Sequence, residues 1–127
     1  VEVARFFMNF TQNESCGKCV PCREGTKRML ELLTDITEGR GTMEHIELLE
    51  TLAETVSATA LCGLGKTAAS PVVSTLKYFR DEYIAHVVDK KCPAGQCKAL
   101  TSLQIDPELC KGCACKDGCN FGAVKEV

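Results

Sequence analysis

The sequence predicts a mostly α-helical chain: a small antiparallel helical bundle over residues 1–88, followed by a short turn-rich segment. Three observations carry this expectation. Apolar residues recur at helical spacing in successive stretches. Glycine and proline punctuate those stretches. The composition then changes at Asp89, beyond which no stretch is long enough to bury a helical face.

The elements follow in order. Val1 to Gln12 are apolar-rich and read as the end of a helix with nothing to cap its start. After a cysteine cluster at residues 13–22, Met29, Leu30, Leu33 and Ile36 form one stripe, and Gly39-Arg-Gly41 stops that helix. Thr42 caps a second, with Ile46, Leu49, Leu52, Ala53 and Val56 at helical spacing. The small residues from Ser57 to Ala69 read as a loop that holds Cys62. Ser70-Pro71 is a cap followed by proline at the first helical position. A third clear helix then runs to about Val88 on the stripe Val72, Leu76, Phe79, Tyr83 and Val87. Domain boundaries are expected at 1–88, a linker at 89–105 and a final segment at 106–127.

Bulk composition excludes several functions. The 15 Lys and Arg against 17 Asp and Glu leave no basic field for nucleic acid, and Trp is absent, so base-stacking platforms are not expected. No apolar run can cross a membrane, and no leader pattern opens the chain. Val1 reads as a cut point within a longer polypeptide, since no Met precedes it.

The outlier is cysteine, ten in 127 residues. Disulfides in a secreted chain and metal ligation in a reducing, cytoplasmic setting compete as explanations. Clustering favours metals, because cysteines two residues apart rarely have bridging geometry. Cys16-x2-Cys19-x2-Cys22 places three thiolates on one tight loop, and Cys62 can supply a fourth. Structural zinc usually takes ligands two and two from separate knuckles. A three-plus-one division suits a [4Fe-4S] cluster better. Cys22 is expected in the first turn after Pro21, where free helix N–H groups favour an anion. Lys18, Arg23 and Lys27 lie nearby, either solvated or raising the potential.

These residues carry a resemblance. Glu14-Ser-Cys-Gly-Lys-Cys-Val-Pro-Cys-Arg-Glu-Gly25, Leu61-Cys-Gly-Leu-Gly65, Ser70-Pro71 and Tyr78-Phe-Arg-Asp-Glu-Tyr83 together resemble the C-terminal cluster domain of the flavin-carrying NADH dehydrogenase subunit of complex I and its relatives. The resemblance covers roughly residues 1–90. It implies a helical bundle holding one [4Fe-4S] cluster on Cys16, Cys19, Cys22 and Cys62, fed by FMN that NAD(P)H reduces. These 127 residues contain no glycine-rich nucleotide loop, so hydride chemistry is expected in an upstream domain.

Asp106-Pro-Glu-Leu-Cys110-Lys-Gly-Cys113 resembles the opening of a bacterial ferredoxin motif, and Ala114-Cys115-Lys-Asp-Gly-Cys119-Asn-Phe-Gly-Ala-Val124 resembles its close. One spacer is a residue shorter than the usual Cys-x2-Cys-x2-Cys-x3-Cys. Either a deletion variant holds one cluster on Cys110, Cys113, Cys115 and Cys119, or two ferredoxin motifs are joined across a gap between Cys113 and Ala114. The second is the preferred reading. Cys110, Cys113 and Cys119 would then share one cluster and Cys115 would serve another. A ferredoxin-like extension of this kind is similar to the flavoprotein subunits of NAD(P)-linked iron hydrogenases, including electron-bifurcating ones.

Between the modules lies His86-x5-Cys92-Pro-Ala-Gly-Gln-Cys97. It is either a three-ligand zinc knuckle at a hinge, its fourth ligand supplied from elsewhere, or a helix-end histidine beside two turn cysteines. His45 has no cysteine neighbour and is expected at the surface. The leading functional expectation is an electron wire from a reduced flavin to a partner subunit or soluble ferredoxin within an oxidoreductase complex. The alternatives are a zinc-stabilised partner-binding module without redox activity, and a disulfide-stapled domain.

Overall fold

The computed structural model describes residues 1–101, and these form helices without strands. The order is α1 (Glu2–Glu14), α2 (Val20–Thr37), α3 (Met43–Thr59), α4 (Gly63–Thr67), α5 (Ser70–Tyr78) and α6 (Arg80–Val87), then a single 3-10 turn at Lys98–Leu100. No helix among these is long and apolar enough to cross a membrane.

The helix α2 is the central rod. It packs along α1 on one side and α3 on the other, and α5 and α6 close the bundle. Met29, Leu33 and Ile36 are buried as the stripe predicts, facing Ile46, Leu49, Ala53 and Val56 of α3. Met8 and Ala4 of α1 and Val72, Leu76, Tyr83 and Val87 of the last helices complete the core. Glycine allows the closest contact between rods. A Cβ on Gly25 would stand 2.2 Å from Val56 Cγ2, so only a residue without one lets α2 and α3 meet there. By contrast α1 leaves Val3, Phe6, Phe7 and Phe10 largely exposed.

The turn after α2 works as expected. Gly39 takes φ +82, which a side chain would resist, and Thr42 caps α3. His45 has a role beyond the surface position expected of it. Its Nδ1 accepts the Thr42 N–H at 2.9 Å, as Glu or Gln does in a usual capping box, and it is half-buried.

Three expectations are corrected. Residues 57–69 are not one loop: α3 continues to Thr59, and Gly63–Thr67 forms the short helix α4. Alanine there favours helix, and the two glycines of α4 are tolerated because tertiary contacts, not propensity, hold so short a turn. The helix expected to run from Ser70 to Val88 is broken at Phe79, whose φ of −131 and ψ of 36 separate α5 from α6. Phe79 is accordingly 54% exposed, while its stripe neighbours are buried. Across the break the Tyr83 hydroxyl lies 2.8 Å from Thr75 Oγ1, although a straight helix would set the two residues' backbones about 12 Å apart along its axis. Ser70 is itself the first residue of α5, with Ala69 as its cap, so the cap lies one position earlier than the sequence suggested.

Candidate metal centre

Cysteine loops gather at the start of α2. Cys19 is the N-cap of α2, with Val20 and Pro21 opening the helix, so Cys22 falls in its first turn as expected. Cys62 is the N-cap of α4. Proline early in α2 costs no hydrogen bond, because the first N–H groups of a helix have no internal acceptor.

Two contacts tie the loops together. A Cβ on Gly65, three residues past Cys62, would lie 3.3 Å from Cys22 Cβ and 3.6 Å from its Sγ. The Leu61 N–H reaches the Cys19 sulfur and holds that thiol below its ordinary value, helped by the Cys22 N–H and the positive charge of Arg23. Backbone N–H groups and a nearby cation thus favour the thiolate at Cys19. Arg23 is not merely solvated. Its guanidinium donates to the Gly17 carbonyl at 2.8 Å and clamps the loop, which turns at Gly17 with φ +71. Cys22 is buried, Cys19 half-buried, and Cys16 and Cys62 are exposed.

A second group forms at the opposite end of α2. His86, Cys92 and Cys97 are all buried, and their donor atoms lie within 4.8 Å of one another. Burial of His86, at 1% exposure, is incompatible with an exposed helix-end histidine. The Glu82 carbonyl accepts from its Nδ1 at 2.6 Å, so in the neutral ring Nε2 is the nitrogen without a proton, and it is directed at Cys97 Sγ, 3.3 Å away. A carbonyl held on the far nitrogen is the usual way to orient a ligating imidazole. Burial pushes the Cys92 thiol up, but the N–H groups of Cys97, Gln96 and Ala94 and the Cys97 thiol outweigh it and leave it lowered. Burial and the neighbouring Cys92 push Cys97 up to about 11. Thr37 and Glu38 line one cleft with Gln96, Cys97 and Lys98, so the group sits where α2 ends. Sulfurs on one tetrahedral zinc ion stand about 3.8 Å apart, given Zn–S near 2.3 Å, and this spacing is compatible with that. Among the described residues no other three such donors are drawn so close, Cys16, Cys19, Cys22 and Cys62 included.

The tail cysteines Cys110, Cys113, Cys115 and Cys119, and the expected gap between Cys113 and Ala114, lie outside the described residues.

A helical bundle whose cysteine loops meet at one end defines an iron–sulfur binding region. Residues 2–86 match the family described as the NADH-ubiquinone oxidoreductase-F iron-sulfur binding region, and the chain belongs to that family. The chain is 49% identical over 131 residues to the NADP-reducing hydrogenase subunit HndC of Solidesulfovibrio fructosivorans, covering 99% of this chain and 27% of that protein. It is 46% identical over 90 residues to an NADH-quinone oxidoreductase subunit of Streptomyces coelicolor, covering 71% of this chain and 20% of the relative. The mitochondrial NADH-ubiquinone oxidoreductase 51 kDa subunit of Neurospora crassa is 34% identical over 79 residues, 62% of this chain and 16% of that subunit. The chain thus spans about a quarter or less of these relatives.

Proposed function

We propose that Cys16, Cys19, Cys22 and Cys62 hold a [4Fe-4S] cluster, and that the chain carries electrons between an NAD(P)H-reduced flavin elsewhere in the polypeptide and a partner subunit or ferredoxin. When bound, such a cluster accepts and releases single electrons. The observation that carries the reading is the junction of the two cysteine loops through Gly65–Cys22 and Leu61–Cys19. The chain's part is to supply four thiolates, to aim N–H groups at them, and to fix the loop with Arg23. The full-length protein, purified anaerobically, is expected to be brown, to contain iron and sulfide, and to give a paramagnetic signal on reduction. Cys62→Ala should lose this cluster's share of the iron and of that signal. A colourless protein holding zinc alone would overturn the reading.

We further infer that His86, Cys92 and Cys97 hold zinc, with a fourth ligand from outside the described residues, because three buried donors converge as one ion requires. The tail cysteines Cys110, Cys113, Cys115 and Cys119 supply one or two further clusters in this reading. Alignment of HndC with 99% of the chain supports a partnership with other subunits of an NAD(P)-linked oxidoreductase such as an iron hydrogenase. A reducing compartment such as the cytoplasm suits so many free thiols.

A further inference from the structure

The Cys22 sulfur has a neighbour that coordination does not require. Ser15 Oγ lies 3.3 Å from Cys22 Sγ. Ser15 is the residue that ends α1, in an extended conformation. The Gly17 N–H donates to the same Oγ, also at 3.3 Å. That return is made possible by the positive φ of Gly17.

Direction follows from counting protons. A serine hydroxyl has one proton and two lone pairs. Gly17 occupies a lone pair, so the proton remains free. A cysteine bound to iron is a thiolate and can only accept. Ser15 therefore donates and Cys22 accepts. With Cys22 at 4% exposure, water does not compete for that sulfur.

We propose that Ser15 is a potential-setting residue whose hydroxyl donates to the Cys22 sulfur and raises the reduction potential of the cluster at this loop. The proposal rests on Cys22 being a cluster ligand. Reduction adds negative charge, some of it on the ligand sulfurs, and a hydrogen bond to a sulfur stabilises the reduced form more than the oxidised one. Ser15 acts through the Cys22 sulfur and is itself no ligand.

The test is a reductive titration of the full-length protein, followed by electron paramagnetic resonance, in the native form and in Ser15→Ala and Ser15→Thr. Ser15→Ala should retain iron and sulfide and become harder to reduce. The expected change in the reduction equilibrium approaches tenfold, which is about 59 mV for one electron. Ser15→Thr keeps the hydroxyl and should restore the native midpoint. An unchanged midpoint in Ser15→Ala, or an equal fall in Ser15→Thr, would overturn the proposal. If Ser15→Ala does not retain the cluster, resonance Raman spectra of the native protein in H2O and D2O decide. A deuterium shift of the Fe–S stretching bands of this cluster that persists in Ser15→Thr supports the proposal, and its absence in the native protein overturns it. The ligand assignment fails by a different result: Cys22→Ala would keep the full native signal, whatever the Ser15 variants do.

Discussion

Gly65 and Cys22 face each other with no room for a methyl group between them. A Cβ on Gly65 would stand 3.3 Å from Cys22 Cβ and 2.6 Å from the Ala60 methyl. Neither obstacle is the end of a flexible side chain, so α4 itself must lift. Cys62 caps α4 and moves with it. Gly65→Ala is expected to cost about 1–3 kcal/mol and to lower bound iron by up to one cluster's share while helix content stays near native. Iron and sulfide analysis beside far-ultraviolet circular dichroism checks this; native iron content would contradict it.

Where α2 crosses α3, the tight pair is Gly25 and Val56, and here the obstacle can be removed. Gly25→Ala drives a methyl to 2.2 Å from Val56 Cγ2 and should destabilise by about 1–3 kcal/mol. Val56→Ala alone leaves a cavity. Combined, each change relieves the other, and the double variant should be more stable than the sum of the singles by about 1 kcal/mol or more. Apparent melting temperatures of the four proteins give the coupling, and strict additivity would show that the contact is not limiting.

Zinc at the His86–Cys92–Cys97 group should exchange protons with the solvent. Without metal, burial and the neighbouring Cys92 push the Cys97 thiol up to about 11, which keeps it protonated at neutral pH. Binding as a thiolate must expel that proton. Chelation of zinc at neutral pH is therefore expected to take up at least one proton per chain, and affinity should rise with pH. Cys97→Ser and His86→Ala should reduce zinc to near zero without changing the iron held by the first site. A pH indicator in weakly buffered solution, with metal analysis, tests both statements.

Burial of Tyr83 gives an alkaline signature. Desolvation pushes its phenol up to about 12 from 10.0, against the hydrogen bond with Thr75. The folded value is the higher one, so the fold favours the neutral phenol. This stabilisation is complete below pH 10 and is lost as pH rises from 10 to about 12, roughly 2–3 kcal/mol in all. Tyr83→Phe should abolish that slope. At neutral pH it should cost only about 1 kcal/mol, because Thr75 still donates to the Pro71 and Val72 carbonyls. Apparent denaturation midpoints across the window distinguish the two proteins.

Much of this was legible in the chain. The core stripes of α2 and α3 could be read because a helix repeats its buried face at fixed intervals, and Met29, Leu33, Ile36, Ile46, Leu49, Ala53 and Val56 are buried accordingly. The spacing of Cys16, Cys19 and Cys22 was legible because one tight loop is a local fact. The break at Phe79 was not, because the apolar period continues through it and only the distant Thr75–Tyr83 and Arg80–Glu50 pairings favour a bend. The helix α4 was hidden by its glycines, which weaken propensity but permit the approach to Cys22. His86 could be suspected from its neighbours, yet its burial depends on how the 92–97 turn folds back, which no periodicity records. His45 was missed because capping boxes are sought with Glu or Gln; a neutral imidazole offers the same acceptor.

The central helix has a mechanical consequence. Its 18 residues rise about 27 Å, with the cysteine loops at one end and the His86–Cys97 pair at the other. A rod of that length is a lever. Each degree of tilt about its far end sweeps the cysteine loop by about 0.5 Å, on the helical rise alone. On the reading proposed above, any angular play at the histidine end would become a change of reach at the sulfur end.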